Sequence, residues 1–316
     1  MISRYKIGIV IVYYGNWPEW TPCFLKSCSV NTDIQWLIFS DRPPAGTMPD
    51  NVNYFEHSLQ SFGNRVKKVL GISPNIIHPY KLTDLKPAYG LIFQDYLTGY
   101  SHWGYSDSDL VYGSIDHFIN DDILAGFDII SPSPDFFPGH FMLFKNTELT
   151  INLFKSASNW QEVFLSEKYY CFDENLLSRG IDPDNEKIFN QIKNKTRRHV
   201  LEYKVLRNPV SRRIKKTIPV NPGKPKPGKP TDFNSIIRLK TNSGKLKASG
   251  KLLFRDDVIN LIEGKREINV KWKNGELFDD DKEIMYYHFQ LAKYEDSFKI
   301  SSDTERSFAI SAQLKI

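Results

Sequence analysis

Cysteine is scarce. Cys23, Cys28 and Cys171 are the only three in 316 residues, and none forms a CxxC pair. That argues against a disulfide framework and against a structural zinc site, and it fits a reducing compartment. Long apolar runs are missing too. Ile7–Tyr14 falls far short of the ~20 residues needed to span a bilayer, and no small-residue cleavage site follows it. A cytoplasmic protein, on a membrane surface at most, is therefore expected. There is no Gly-rich phosphate loop of the P-loop form, no recognisable RNA- or DNA-binding module and no internal repeat. What is present suits a globular protein: 41% hydrophobic and 25% charged residues. Aromatics reach 14%; such side chains fill cores first, and also stack on bases and sugars.

The net charge of +5 is unevenly placed. Residues 191–250 hold 17 Lys and Arg against 2 Asp and Glu, so this segment carries +15 and the rest of the chain −10. A segment of this kind attracts anionic lipid, a phosphorylated acceptor or nucleic acid, or is simply a solvated loop.

The N-terminal part alternates strand-like and helix-like stretches. Ile7–Tyr14 (IGIVIVYY) is a β-branched run suited to a buried strand. Pro18 opens a helix through Cys28, and Trp36–Asp41 and Val52–His57 are further strands. Leu59–Leu70 is a helix stopped by Gly71, and Lys86–Leu97 another with Pro87 in its first turn. Trp103–Ser106 is a strand running into an acidic turn, followed by strands at Asp128–Ser131 and Phe141–Lys145. This order predicts an α/β fold with a mainly parallel mixed sheet flanked by helices. The character changes after about residue 190. Lys193–Arg198 and Arg212–Lys216 are basic clusters, and Asn221–Pro230 (NPGKPKPGKP) suits neither a helix nor a central strand. Lys245–Arg255 and Glu267–Phe278 are β-like, with Asn274-Gly275 as a hairpin signal between them, and Ile284–Gln290 is a last strand. Three parts are expected: a core at 1–190, a basic excursion at 191–250, and a C-terminal antiparallel β addition to the first sheet at 251–316 that completes the site.

The most informative stretch is His102–Gly113, HWGYSDSDLVYG. Ligands of open α/β sheets gather at the carboxyl ends of strands. Asp107 and Asp109, one residue apart at such an end, suit a hard divalent cation, Mn²⁺ or Mg²⁺, bridging carboxylates to substrate phosphates. Asp-x-Asp alone is also a common solvated turn; these two acids lie between apolar stretches instead of in a polar linker.

The chain resembles the bacterial GT-A glycosyltransferases of capsule and lipopolysaccharide assembly. The matching pieces are IVYYGNWPEW (11–20), WLIFSD (36–41), PYKLTDLKPAYG (79–90), WGYSDSDLVYG (103–113) and HFQLAK (288–293), in the family's order over most of the chain. The excursion near 205–250 has no counterpart. The resemblance implies a GT-A fold, a nucleotide-sugar donor (UDP-sugars favoured) and a glycan or lipid-linked acceptor in surface polysaccharide synthesis. The first strand and its loop, here Val12, Tyr13 and Tyr14, would hold the nucleotide, although a core tyrosine fits Tyr13 or Tyr14 nearly as well. Asp41 would meet the base or ribose, or only form the turn before Arg42-Pro43. Lys81, Asp84 and Lys86 would face the donor, with Thr83 or Asp84 equally suited to capping a helix. His288 would complete the metal set with Asp107 and Asp109, favouring Mn²⁺, and Lys293 would meet the diphosphate at a spacing one residue shorter than the related pattern. Gly139, in Pro138-Gly139-His140, would allow close approach of a sugar. Asp173 or Glu174 would take the acceptor's proton in an inverting reaction, or would complement a helix N-terminus; the sequence does not decide the stereochemistry. Apart from the resemblance, the charge of the basic excursion suggests docking on anionic membrane.

Other readings remain. A metal-dependent nucleotidyltransferase or phosphotransferase also needs paired acids and a nucleotide pocket. A carbohydrate-binding protein would not need the acids and His288 to meet. A nucleic-acid-binding protein rests on the basic segment alone.

Overall fold

The computed structural model describes residues 5–76, 79–133, 137–174, 230, 232–250, 253–304 and 306–314. Its centre is a seven-stranded mixed sheet in the order β3-β2-β1-β4-β7-β6-β8. The strands are β1 (Ile7–Tyr13), β2 (Ile34–Ser40), β3 (Val52–Glu56), β4 (His102–Ser106), β6 (Ile129–Ser131), β7 (Phe141–Lys145) and β8 (Ala248–Gly250), with β5 (Leu110–Tyr112) outside this sheet. β1 runs parallel to both β2 and β4, and β2 parallel to β3. β7 is antiparallel to β4 and β6. The chain goes outward from β1 through β2 to β3 and returns to β4 on β1's other side, so strand order reverses between β1 and β4. A crevice at the carboxyl ends of those two strands is where an open α/β sheet binds its ligands.

The β-branched run of β1 is explained by burial on both faces. Val10 joins Leu37, Phe39, Phe62, Phe93, Trp103 and Phe144 on one side, while Ile9 and Ile11 join Phe24, Trp36, Ile38, Phe141 and Tyr286 on the other. Helix α1 (Thr21–Ser29) covers the second face and α2 (Leu59–Leu70) the first. α2 is bounded as its ends dictate: Ser58 accepts the Ser61 amide, and Gly71 takes the left-handed C-cap at φ 72°.

Lys86–Leu97 is not the expected helix. A ten-residue 3₁₀ helix spans Pro79–Ala88, and only Tyr89–Ile92 is α-helical. Pro87 has no N–H to give and disfavours α geometry at Lys86, so the 3₁₀ segment before it cannot continue as one regular α-helix, and α geometry begins only at Tyr89.

The C-terminal β structure is a sheet of its own and not an extension of the first. It contains β10 (Glu267–Lys273), β11 (Glu276–Asp279), β12 (Lys282–Glu283), β14 (Lys299–Thr304) and β15 (Ser307–Gln313), in the order β12-β11-β10-β15-β14 and antiparallel throughout. β10 alternates buried and exposed residues, as a sheet with one face on a core must. Asn274-Gly275 turns β10 into β11, within the stretch 267–278, with both residues at positive φ. A small third sheet joins the two: β13 (Tyr286–His288) pairs antiparallel with β5 and parallel with β9 (Phe254–Asp256). Lys245–Arg255 thus divides between β8 and β9. The basic clusters and Asn221–Pro230 lie outside the described residues except for Pro230. The end of the 191–250 segment belongs to the main body: helix Phe233–Asn242 buries Phe233, Ile236 and Ile237 in the first core, and β8 pairs with β6. Among the described residues no helix is long and apolar enough to cross a membrane.

Candidate active site

Asp107-Ser108-Asp109 leaves the end of β4 and turns into β5. Three anchors fix this turn. The Asp107 amide donates to the His140 carbonyl (2.9 Å), the Trp20 indole to the Ser108 carbonyl (3.0 Å), and the Phe289 amide to the Asp109 carbonyl (3.3 Å). The pairing of β13 with β5 sets His288 opposite Leu110, next to the acids. Ligand atoms of Asp107, Asp109 and His288 consequently all lie within 4.8 Å of one another. His288 Nε2 stands 3.5 Å from Asp109 Oδ2, and its ring packs 4.3 Å from that of His140, which is tied to the Tyr286 hydroxyl.

Two lysines balance the acids. Lys293, on the turn after β13, forms an ion pair with Asp109. Lys86, 5% exposed, lies 2.5 Å from Asp107 Oδ1 and 3.7 Å from Asp173 Oδ2, and donates to the Gly139 carbonyl at 2.8 Å. Burial alone would raise the Asp109 carboxyl, but Lys293 and His288 outweigh it and hold the group well below the usual carboxylate range. Burial would lower His288, and the Asp109 carboxylate beside it raises it instead. Asp173 goes the other way. Its burial lifts the carboxyl well above the usual range against the pull of Lys86, and Glu174 lifts it further.

These residues surround one cavity of about 730 Å³, within the size range of small-molecule sites. Val12 and Tyr13 from β1, Tyr14 just after it, Lys86, Asp107, Asp109, His288 and Lys293 all line it, and so do Asp173 and Glu174. Tyr13 stacks on Trp17 (centroids 4.3 Å apart) and donates its hydroxyl to the Asn16 carbonyl, with burial pushing that hydroxyl up to about 12. Tyr14 is the more core-like ring, with its hydroxyl 3.1 Å from His57 Nδ1.

Three expected site residues are not in the cavity wall. Asp41 accepts the Gly15 amide at 3.0 Å, so it braces the loop after β1. Lys81 and Asp84 are fully buried and paired at 2.7 Å. Lys81 also donates to the carbonyls of Val163 (2.6 Å) and Lys168 (2.7 Å), and Asp84 accepts the amides of Tyr170 (2.9 Å) and Phe172 (2.8 Å). Their hydrogen bonds go to each other and to segment 163–172, so they fasten the stretch that leads to Asp173 and lie behind the cavity wall. Gly139 likewise has a different reason: a Cβ there would run into the Asp173 carboxylate. Glycine at 139 makes room for an acid of the protein, and its amide donates to Glu174 at 3.1 Å.

Trp20, Tyr80, Tyr169, Gln290 and Tyr294 also line the cavity and were not singled out from the sequence. Trp20 sits inside one of the matching pieces, and Tyr294 directly follows another. A second group, His117, Glu276 and Glu283, lies outside this cavity, where His117 Nδ1 meets Glu283 at 2.7 Å as a surface ion pair.

A model of a protein family of unknown function, DUF6625, matches residues 9–315. The chain belongs to that family. DUF6625 has no described activity to lend it, and no curated protein matches. Among solved structures the chain is similar to a galactosyltransferase, LgtC, in complex with donor and acceptor sugar analogs. The identity is 13% and the TM-score 0.31, covering 50% of this chain and 64% of that one. This member of DUF6625 therefore spans less than two thirds of the length of that structure.

Proposed function

We propose that this DUF6625 protein is a glycosyltransferase of the GT-A type that transfers a sugar from a nucleotide-sugar to a glycan or lipid-linked acceptor. The observation that carries the reading is the convergence of Asp107, Asp109 and His288 within 4.8 Å at the carboxyl end of β4, flanked by Lys86 and Lys293. Two carboxylates and an imidazole form a donor set suited to Mn²⁺, and Mg²⁺ is the alternative. The fit is supported by the buried His288 ring, whose Nδ1 has no hydrogen-bond partner among the described residues. When bound, such an ion supplies Lewis-acid stabilisation of the departing nucleoside diphosphate.

The protein's own groups do the rest. Lys293 and Lys86 bring positive charge to the diphosphate, and Tyr13 presents a ring at the end of β1 for the nucleotide. Asp173 lines the same cavity, and its carboxyl, raised by burial, holds a proton more readily than an exposed carboxylate, as a general base must. In an inverting reaction it would take the acceptor hydroxyl's proton, with Glu174 beside it. A place in capsule or lipopolysaccharide synthesis, and a peripheral contact with anionic membrane through 191–250, complete the proposal.

The test is a binding screen of UDP-, GDP-, CMP- and dTDP-sugars with Mn²⁺, with and without chelator, on wild type and Asp109→Ala. Metal-dependent binding of one nucleotide class, lost in Asp109→Ala, supports the proposal. Binding that survives chelation removes the metal from it, and no binding to any sugar nucleotide removes the transferase.

A further inference from the structure

We propose that Asp257 is a positioning residue for the donor site, acting through Lys293. The inference rests on the reading of Lys293 as a diphosphate-binding group. Asp257 is fully buried at the start of helix Asp257–Ile262, directly after β9. Its Oδ2 accepts the amides of two consecutive residues, Leu291 (2.6 Å) and Ala292 (2.7 Å), and its Oδ1 accepts the Tyr287 hydroxyl (2.8 Å). The next residue in the chain is Lys293. A lysine carries a point charge on a flexible stem, so the place of that charge depends on how firmly its backbone is held. Here the turn bearing it hangs from one carboxylate.

Helix capping does not account for Asp257. The preceding Asp256 is the N-cap, and its side chain already accepts the Ile259 amide at 2.6 Å. The groups that donate to Asp257 are two amides and a phenol, all neutral. The carboxylate's negative charge is thus buried without a cation on it, a costly arrangement for packing alone but a strong one for gripping N–H groups. The grip continues outward. Asn260 Nδ2 donates to the Tyr287 hydroxyl (2.9 Å), Arg255 donates to Asn260 Oδ1 (2.9 Å), and Arg255 Nε reaches Asp279 of β11 (3.2 Å). The Lys293 turn is thereby referenced to the second sheet as well as to the small third one.

The experiment is a double-mutant cycle on the full chain: wild type, Asp257→Ala, Lys293→Ala and the double variant. Inorganic pyrophosphate with Mn²⁺, and Mn²⁺ alone, are titrated by calorimetry, and amide exchange is followed at Leu291 and Ala292. The expected result is pyrophosphate binding weakened by ~10-fold or more in Asp257→Ala, the loss of one charge-assisted contact. No further loss should follow in the Lys293→Ala background, Mn²⁺ binding should be unchanged, and exchange should be faster at both amides. Additive losses, or unchanged pyrophosphate affinity in folded Asp257→Ala, would overturn the proposal. If Asp257→Ala does not fold, Asp257→Asn keeps the shape with a weaker acceptor. It should shift affinity and exchange in the same direction by a smaller factor, and no shift in either would also overturn it. A wild type that binds no pyrophosphate would overturn the donor-site reading instead; exchange at 291 and 292 then decides on its own whether Asp257 holds the turn.

Discussion

His288 Nε2 lies 3.5 Å from Asp109 Oδ2 because β13 pairs with β5 and sets residue 288 opposite residue 110. If the two are ligands of one ion, His288→Ala should weaken Mn²⁺ binding. Losing only an outer-shell partner of a ligand costs ~10–100-fold in affinity, and losing the ligand should cost at least that. Calorimetric titration of Mn²⁺ checks this, and an unchanged affinity would show that the pair is merely an ion pair.

Asp173→Asn should leave the affinity for the sugar nucleotide within about twofold and reduce kcat by ~10²–10⁴-fold, the usual contribution of a positioned base. Steady-state kinetics with the donor found in the screen separate the two. A fall in donor affinity with kcat preserved would place Asp173 on the donor instead.

Gly139→Ala puts a methyl group against the Asp173 carboxylate. Its expected effect is a lowered kcat with Mn²⁺ affinity unchanged, since the atoms nearest the added methyl group belong to Asp173 and Glu174 and not to the ligand residues. Full activity would mean that the acid can shift at no cost to the reaction.

Lys81 and Asp84 are fully buried partners. Lys81→Met leaves the Asp84 carboxylate buried without its cation, which should destabilise the fold by about 3–5 kcal/mol. Urea denaturation measures this. Donor affinity of the remaining folded protein should be unchanged, and a selective loss of donor affinity at full stability would restore the role suggested by sequence resemblance.

His102 is buried in β4 with Nε2 3.1 Å from the Leu124 carbonyl, and burial lowers its pKa to about 4. The unfolded chain takes up this proton near pH 6.5 and the folded protein only near 4. Stability should therefore be complete above pH 6.5 and fall through the window down to 4, by about 3 kcal/mol at 1.36 kcal/mol per pH unit. His102→Gln should flatten this part of the stability profile, followed by denaturant unfolding at several pH values. An equal slope in wild type and variant would assign the acid sensitivity to other groups.

Much of this was legible in local sequence. The unbroken apolar run of β1, the Ser58 and Gly71 ends of α2, the Asn274-Gly275 turn and the placement of Asp107 and Asp109 at a strand end each depend on a few neighbouring residues. Residues whose role depends on distant partners were harder. Lys81 and Asp84 have the appearance of exposed donor-facing charges until segment 163–172 closes over them. The 3₁₀ helix at 79–88 is not legible locally, because Pro87 suits the first turn of an α-helix beginning at 86 just as well. His288 entered only through resemblance, because nothing local in YYHFQ reveals β5 as its neighbour. Asp257 gave no signal at all: an acid after a short strand is an ordinary helix start, and its hold on residues 291 and 292 exists only once the fold is complete.

The pairing of β13 with β5 also has a consequence for biogenesis. By residue 145 a chain emerging from the ribosome has β1 to β4, β6 and β7 in hand, and contacts close in sequence form before distant ones. The acids at 107 and 109 are then already at their strand end, but the histidine and lysine that face them have not been synthesised. A nascent chain can fold much of its first sheet while still chemically incomplete. Synthesis of residues 288–293, well after that of the acids and of Lys86, would then set the moment at which the site acquires Lys293 and its imidazole.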